Sequence, residues 1–262
     1  MRDFHLPGRS TVFATEGMCA TSHPVAAHTA IRILLDGGNA VDAAIAAGVL
    51  LGIAEPQMTG LGGDLFVLMT PPGENRILAR NAPGRAPAAL RAETLRAAGL
   101  SSVPLNGAEA VTLPGAVAGF CKLSEEWGRL DLDQTLAPAI HYAEHGLPVA
   151  PRTAFDWAGF AALAAGHART HFLVDGTAPR PGHIFRAPGQ AEVLRRITAQ
   201  GRAGFYEGEG AAEMVATLRE RGGVHTETDF AEVEADWVNP ISGDYKGMEL
   251  VEHPPNGQGA TA

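Results

Sequence analysis

Apolar residues recur at helical spacing along most of this chain and alternate in strand fashion in only a few places. After Pro24, the residues Val25, Ala26, Ile31, Leu34 and Leu35 fall roughly on one face of a helix. Pro24 suits the first turn, where no backbone N–H is needed. Gly37-Gly38 ends the helix, because glycine takes the left-handed cap without strain. Asn39 reads as the N-cap of a second helix, from Ala40 to about Ala54. That helix is apolar nearly all round, which predicts deep burial. Ahead of both, a short strand is expected over residues 18–21, bounded by Gly17. Pro56 stops the second helix, and Leu65-Phe66-Val67-Leu68-Met69 reads as a strand. Pro71-Pro72-Gly73 then turns the chain into a partner strand that begins at Ile77-Leu78, giving a hairpin.

Farther along the pattern is mostly helical, over 115–127, 133–145, 151–165, 190–200 and 207–221. Proline and glycine punctuate the loops at 148–151, 179–182 and 188–189. Residues 243–252 read as a hairpin or an edge strand. The last residues form a glycine turn that opens what reads as a new helix, so the chain is expected to be truncated at Ala262. No internal boundary stands out, and residues 1–262 read as a single, incomplete domain of mixed helix and strand.

Composition narrows the classes. The chain has 262 residues, 45% hydrophobic and 19% charged, as in a globular protein with a sizeable core. A net charge of −9 without a Lys/Arg cluster argues against nucleic acid and anionic membrane surfaces as partners. No apolar run reaches the ~18 residues of a membrane span. The first nine residues lack an apolar stretch behind a basic start, which reads as no secretory signal and makes the cytoplasm the expected location. Cys19 and Cys121 make no disulfide framework.

Few residues stand out chemically. Gly60-Leu61-Gly62-Gly63-Asp64 has the look of a phosphate cradle, but such loops follow a strand and open a helix, and here the order is reversed. A tight turn, or a close approach to another segment, fits better. His23 beside a helix start reads as a cap or a satisfied buried group. His141 and His145 lie at i, i+4, a spacing that can bind metal, but no third ligand is in view. Both cysteines read as small apolar residues, Cys19 within the expected strand and Cys121 in an amphipathic helix. Arg85, in Asn81-Ala82-Pro83-Gly84-Arg85-Ala86-Pro87, sits in a loop after a strand and is the residue type suited to bidentate capture of a carboxylate.

Ordered motifs along nearly the whole chain carry a resemblance. They start with Gly17-Met18-Cys19-Ala20-Thr21-Ser22-His23-Pro24, Gly37-Gly38-Asn39-Ala40-Val41-Asp42-Ala43-Ala44 and Glu55-Pro56-Gln57-Met58-Thr59-Gly60-Leu61-Gly62-Gly63-Asp64. They go on with Val111-Thr112-Leu113-Pro114-Gly115-Ala116-Val117-Ala118-Gly119, Leu136-Ala137-Pro138-Ala139-Ile140 and Ala143-Glu144-His145-Gly146-Leu147-Pro148-Val149. Gly204-Phe205-Tyr206-Glu207-Gly208, Gly222-Gly223-Val224, Gly243-Asp244-Tyr245-Lys246-Gly247 and Pro254-Pro255-Asn256-Gly257-Gln258-Gly259 complete the set. This series resembles the N-terminal part of the large subunit of the γ-glutamyltransferase family of N-terminal-nucleophile hydrolases.

The resemblance implies an α+β fold, an αββα sandwich to which this chain supplies a mostly helical part and several strands. It implies a precursor that cuts itself and a small subunit from that precursor. The new N-terminal Thr of the small subunit attacks a γ-glutamyl amide, with its own amine as base. That Thr lies downstream of Ala262, so no catalytic residue is expected in this chain, and neither a metal nor a cofactor is implied. The family's Arg that grips the substrate α-carboxylate stands three residues before an Ala-Pro; Pro83 holds that register here, so Arg85 takes the part and Arg80 is the lesser candidate. Gly-Gly-Asp at 62–64 and Asn-Gly-Gln-Gly at 256–259 resemble the γ-glutamyltransferase-like branch. A glutaryl- or cephalosporin-acylase-like amidase of the same family is the alternative, and an inactive fragment is another.

Overall fold

A computed structural model describes residues 10–261. Met1–Arg9, on which the reading of the leader rests, lies outside the described residues, as does Ala262. The chain opens with α1 (Pro24–Leu35) and α2 (Ala40–Ala54), followed by strands β1 (Leu65–Met69) and β2 (Leu78–Ala82). Helices α3 (Ala92–Ala97), α4 (Ala116–Trp127) and α5 (Leu132–His145) come next, then β3 (Leu147–Pro148), α6 (Pro151–Ala161) and α7 (His167–Phe172). After β4 (Ile184–Phe185) come α8 (Pro188–Gln200), α9 (Ala203–Tyr206), α10 (Gly208–Glu220) and α11 (Glu227–Ala231). Strands β5 (Asp236–Val238), β6 (Ile241–Tyr245) and β7 (Met248–Glu252) close the order. The content is α+β, mostly helical, as expected.

Capping fixes the first helices. The Asn39 side chain accepts from the Val41 and Asp42 N–H groups, and Asp42 accepts from the Asn39 N–H at 2.8 Å. This reciprocal box starts α2, ten of whose residues are buried, Leu50 and Ile53 among them. At α1, His23 supplies the cap and Gly37 turns at φ 98°.

Two local expectations fail. Residues 18–21 form no strand; the segment runs irregularly into the His23 cap. The buried face of α1 is Ala26, Thr29, Ala30 and Ile33, while Leu35 is 60% exposed. The partner surface decides the face: α1 meets Ala43, Ala46 and Ala47 of α2, and alanine on both helices lets the backbones approach more closely than leucine would.

The main sheet has three antiparallel strands in the order β1-β2-β5. Leu65 pairs with Ala82, Val67 with Arg80, and Asn81 with Asp236. The third strand, only three residues long, has no period that marks it in the sequence. The expected hairpin at 243–252 forms as β6 and β7, separate from this sheet. Gly119 brings α4 onto the sheet: a Cβ there would lie 2.8 Å from Leu65 Cδ2 and 3.0 Å from the Ala82 Cβ. The core lies between α2, α4, α5 and α8, with Leu50, Val117, Leu136, Leu194 and Ile197 at its centre. β1 is an edge strand, and it borders an apolar groove of about 650 Å³ shared with α2 and α4.

Candidate functional site

The geometry around Arg85 begins with two glycines. Pro83 ends β2, and Gly84 follows at φ +73°, a conformation that side chains rarely adopt. A Cβ at Gly84 would lie 1.5 Å from the Leu113 carbonyl oxygen, and one at Gly115 would lie 2.1 Å from the Ala82 oxygen. The Leu113 N–H donates to the Arg85 carbonyl at 2.9 Å. The 83–85 backbone is therefore pressed flat against residues 113–115, and Arg85 leaves a fixed position.

The far side of that loop is held by α11. The Ala88 N–H donates to Asp229 Oδ1 at 2.9 Å. Asp229 Oδ2 accepts from the Thr226 N–H at 2.9 Å and the Thr226 hydroxyl at 2.7 Å, and the Asp229 N–H donates back to that hydroxyl. This is a capping box. Burial pushes the Asp229 carboxyl up. The hydrogen bonds from Thr226 and Ala88, with the Arg85 charge, outweigh that and hold it below the usual carboxylate range. At the end of α11, Glu232 Oε2 accepts from Arg85 Nη2 at 2.7 Å, and both side chains are more than half exposed.

The glycine loop supports the same region. The Gly63 carbonyl accepts from the Gly115 and Ala116 N–H groups, each at 3.0 Å. Its oxygen faces the start of α4, the opposite polarity to an anion cradle. The Tyr206 hydroxyl, fully buried, donates to the Pro114 carbonyl at 2.7 Å and accepts from the Ala118 N–H at 3.0 Å. Burial raises its pKa, so the phenol stays neutral. The segment after β7 docks on the sheet beside these residues. His253 Nε2 meets the Arg80 carbonyl at 3.0 Å, and Asn81 Nδ2 donates to Asn256 Oδ1 at 3.2 Å. Three separated motifs, at 81–87, 111–119 and 254–259, thus meet at the end of β2.

Arg80 does not share this exposure. Its side chain is wholly buried; Nη1 donates to the Ala235 carbonyl at 2.7 Å, and Nη2 pairs with Glu126. The guanidinium carbon lies 3.9 Å from the Trp237 ring centre, and Trp237 Nε1 donates to the same Glu126 carboxylate at 2.7 Å. Arg80, the lesser sequence candidate, is thus engaged in interior contacts, whereas the Arg85 guanidinium is exposed.

The remaining sequence candidates have structural places. His23 Nδ1 accepts from the Val25 N–H at 3.2 Å, and burial lowers its pKa against the pull of Glu55, so it caps as a neutral ring. The rings of His141 and His145 stack at 4.4 Å on the exposed face of α5. Among the described residues no group of three or more His, Cys, Asp or Glu side chains is placed to hold a metal ion. Burial pushes the Cys121 thiol up to about 12, so it remains protonated. Cys19 is half-buried in irregular chain rather than in a strand. Asp229 and Glu232 went unnoticed in the sequence; the Thr226-x-x-Asp229 spacing of a capping box was the available signal.

A family model described as Gamma-glutamyltranspeptidase matches residues 26–262. The chain is 36% identical over 254 residues to the glutathione hydrolase-like YwrD proenzyme of Bacillus subtilis (strain 168), covering 96% of this chain and 48% of that protein. It is 34% identical over 253 residues to the acylase ACY 1 proenzyme of Pseudomonas sp. (strain SE83), covering 92% and 45%. Among solved structures, cephalosporin acylase from Bacillus halodurans matches with a TM-score of 0.89 at 39% identity, over 98% of this chain and 49% of that one. The gamma-glutamyltranspeptidase of Helicobacter pylori matches with a TM-score of 0.89 at 26% identity, over 96% and 74%. The chain spans about half the length of the curated relatives it matches.

Proposed function

We infer the activity from one premise: this chain belongs to the gamma-glutamyltranspeptidase family. Its fold is that of the family's N-terminal-nucleophile hydrolases. We propose that it forms part of the large subunit of an enzyme that cleaves γ-glutamyl amides. In the whole protein, the nucleophile would be the N-terminal Thr of a small subunit cut from the same precursor. Its hydroxyl attacks the amide carbonyl, its amine takes the proton, and the amine of the substrate leaves. Water or an amino acid then receives the acyl group.

The observation that supports the role of this chain is the mounting of Arg85. The loop is fixed by Gly84 against Leu113 and by Ala88 on Asp229, and the guanidinium at its end is exposed. A planar guanidinium so held can meet the two oxygens of a substrate α-carboxylate together. Replacing Arg85 by Ala in the complete enzyme should raise KM for γ-glutamyl substrates by about 10-fold or more, since a charge-assisted hydrogen bond contributes ~1.5–3 kcal/mol. An unchanged KM sinks the assignment.

A second reading is an amidase acting on glutaryl or cephalosporin side chains. The 39% identity to the Bacillus halodurans cephalosporin acylase favours it. The chemistry is the same and only the acyl pocket differs. Turnover of paired γ-glutamyl and glutaryl amides by the mature protein separates the two.

A further inference from the structure

We propose that Glu232 is a specificity residue: it holds Arg85 while the site is empty, and a substrate carboxylate must displace it. This rests on the reading of Arg85 above. Four observations carry it.

The contact is single, from Nη2 to Oε2 at 2.7 Å, which leaves the guanidinium's other donors free of Glu232. Its partners are 52% and 61% exposed, and an exposed ion pair changes an equilibrium by about fivefold at most. Arg80 shows what a structural arginine looks like in this protein: buried, paired with Glu126, bound to a carbonyl and stacked on Trp237. Among the described residues, the Arg85 guanidinium has none of that second layer.

The loop does not depend on Glu232. Asp229, only 3% exposed, anchors it through the Ala88 N–H, so the anchor and the ion pair reside in different carboxylates of the same short helix. Glu232 is nevertheless well placed. The capping box fixes the start of α11, Phe230 is 1% exposed, and the Glu232 backbone N–H caps the end of the helix. Substituting the side chain leaves that cap in place. The outcome is a carboxylate presented to Arg85 from a rigid base through a contact that opens at little cost. It imitates the group that Arg85 is proposed to bind, so every carboxylate-bearing donor competes with it.

The test is steady-state kinetics on the mature enzyme from the uninterrupted gene, with a γ-glutamyl anilide that releases a coloured amine. Glu232→Gln should lower KM by about twofold to fivefold, the range an exposed pair allows, with the effect on KM rather than kcat. In Arg85→Ala the same substitution should do nothing, so the double variant matches Arg85→Ala. Raising the salt concentration should shrink the difference between wild type and Glu232→Gln, because both work against a screened pair. A KM that stays the same or rises in Glu232→Gln, while Arg85→Ala raises it, overturns displacement and leaves the Arg85 assignment standing. A KM unmoved by Arg85→Ala overturns both. Melting temperatures of the single variants within a degree of wild type separate the kinetic effect from damage to the fold.

Discussion

Removing the Tyr206 hydroxyl should cost more than any other single-oxygen deletion in this part of the chain. Tyr206→Phe keeps the ring, its packing against Phe205 and the Arg202 guanidinium over its face. What disappears is one oxygen with two partners, the Pro114 carbonyl at 2.7 Å and the Ala118 N–H at 3.0 Å. Ala118 lies in the first turn of α4, where N–H groups have no intrahelical acceptor, and Gly115 at the N-cap offers no side chain. Gly63 satisfies the Ala116 N–H, and the phenol satisfies that of Ala118. Tyr206 is thus a capping residue donated from a helix about ninety residues away. Phenylalanine leaves a buried donor and a buried acceptor unpaired, at about 1–3 kcal/mol each. The expected loss is ~2–6 kcal/mol, which in a protein of more than about 250 residues lowers Tm by roughly 1–2 °C per kcal/mol. Thermal unfolding of the complete protein, followed by intrinsic fluorescence, measures it. Tyr245→Phe is the control: that residue is 59% exposed and should move Tm by less than about 1 °C. A loss under ~0.5 kcal/mol in Tyr206→Phe would refute the capping argument.

Gly84→Ala should destabilise by about 3 kcal/mol or more, because the new Cβ meets the Leu113 carbonyl and φ is +73°; the same variant should raise KM by moving Arg85, and wild-type stability and KM would sink the clamp. Asp229→Asn tests the pH dependence. The folded carboxyl of Asp229 lies below its ordinary value of 3.8, so it contributes stability above that pH and loses it as the pH falls through the lower folded value. Urea unfolding at neutral pH should show Asp229→Asn weaker than wild type, with the gap narrowing below about pH 3.8; a gap independent of pH contradicts the assigned hydrogen bonds.

Much of the fold was legible because each cue acted locally. Asn39 and Asp42 carry their own capping box, and Gly37 carries its own φ, so the bounds of α2 could be read directly. The motif glycines were legible as constraints but not as contacts: Gly84, Gly115 and Gly119 are each required by a backbone or side chain far away in the sequence. The face of α1 was misjudged because the larger apolar residues were weighed above alanine, while the complementary surface of α2 is itself alanine. Arg80 and Arg85 look alike in sequence, five residues apart. Only the return of Ala235, Trp237 and Glu126 around the first, and of Glu232 beside the second, separates an interior arginine from a presented one.

The pairing of β2 with β5 has a consequence for synthesis. The Arg80 guanidinium and the Ala235 carbonyl that receives it are 155 residues apart. At a translation rate of about 5–20 residues per second, β2 waits ~8–30 s after leaving the ribosome before its neighbour exists. During that interval β1 and β2 have only each other to pair with, a two-stranded ribbon that is marginally stable at best, and the Arg80 guanidinium lacks its Ala235 acceptor. The α1–α2 pair is complete long before and the α5–α8 pair shortly before β5, so closure of the sheet ends the period in which a nascent chain is open to chaperones and to its neighbours on the same message.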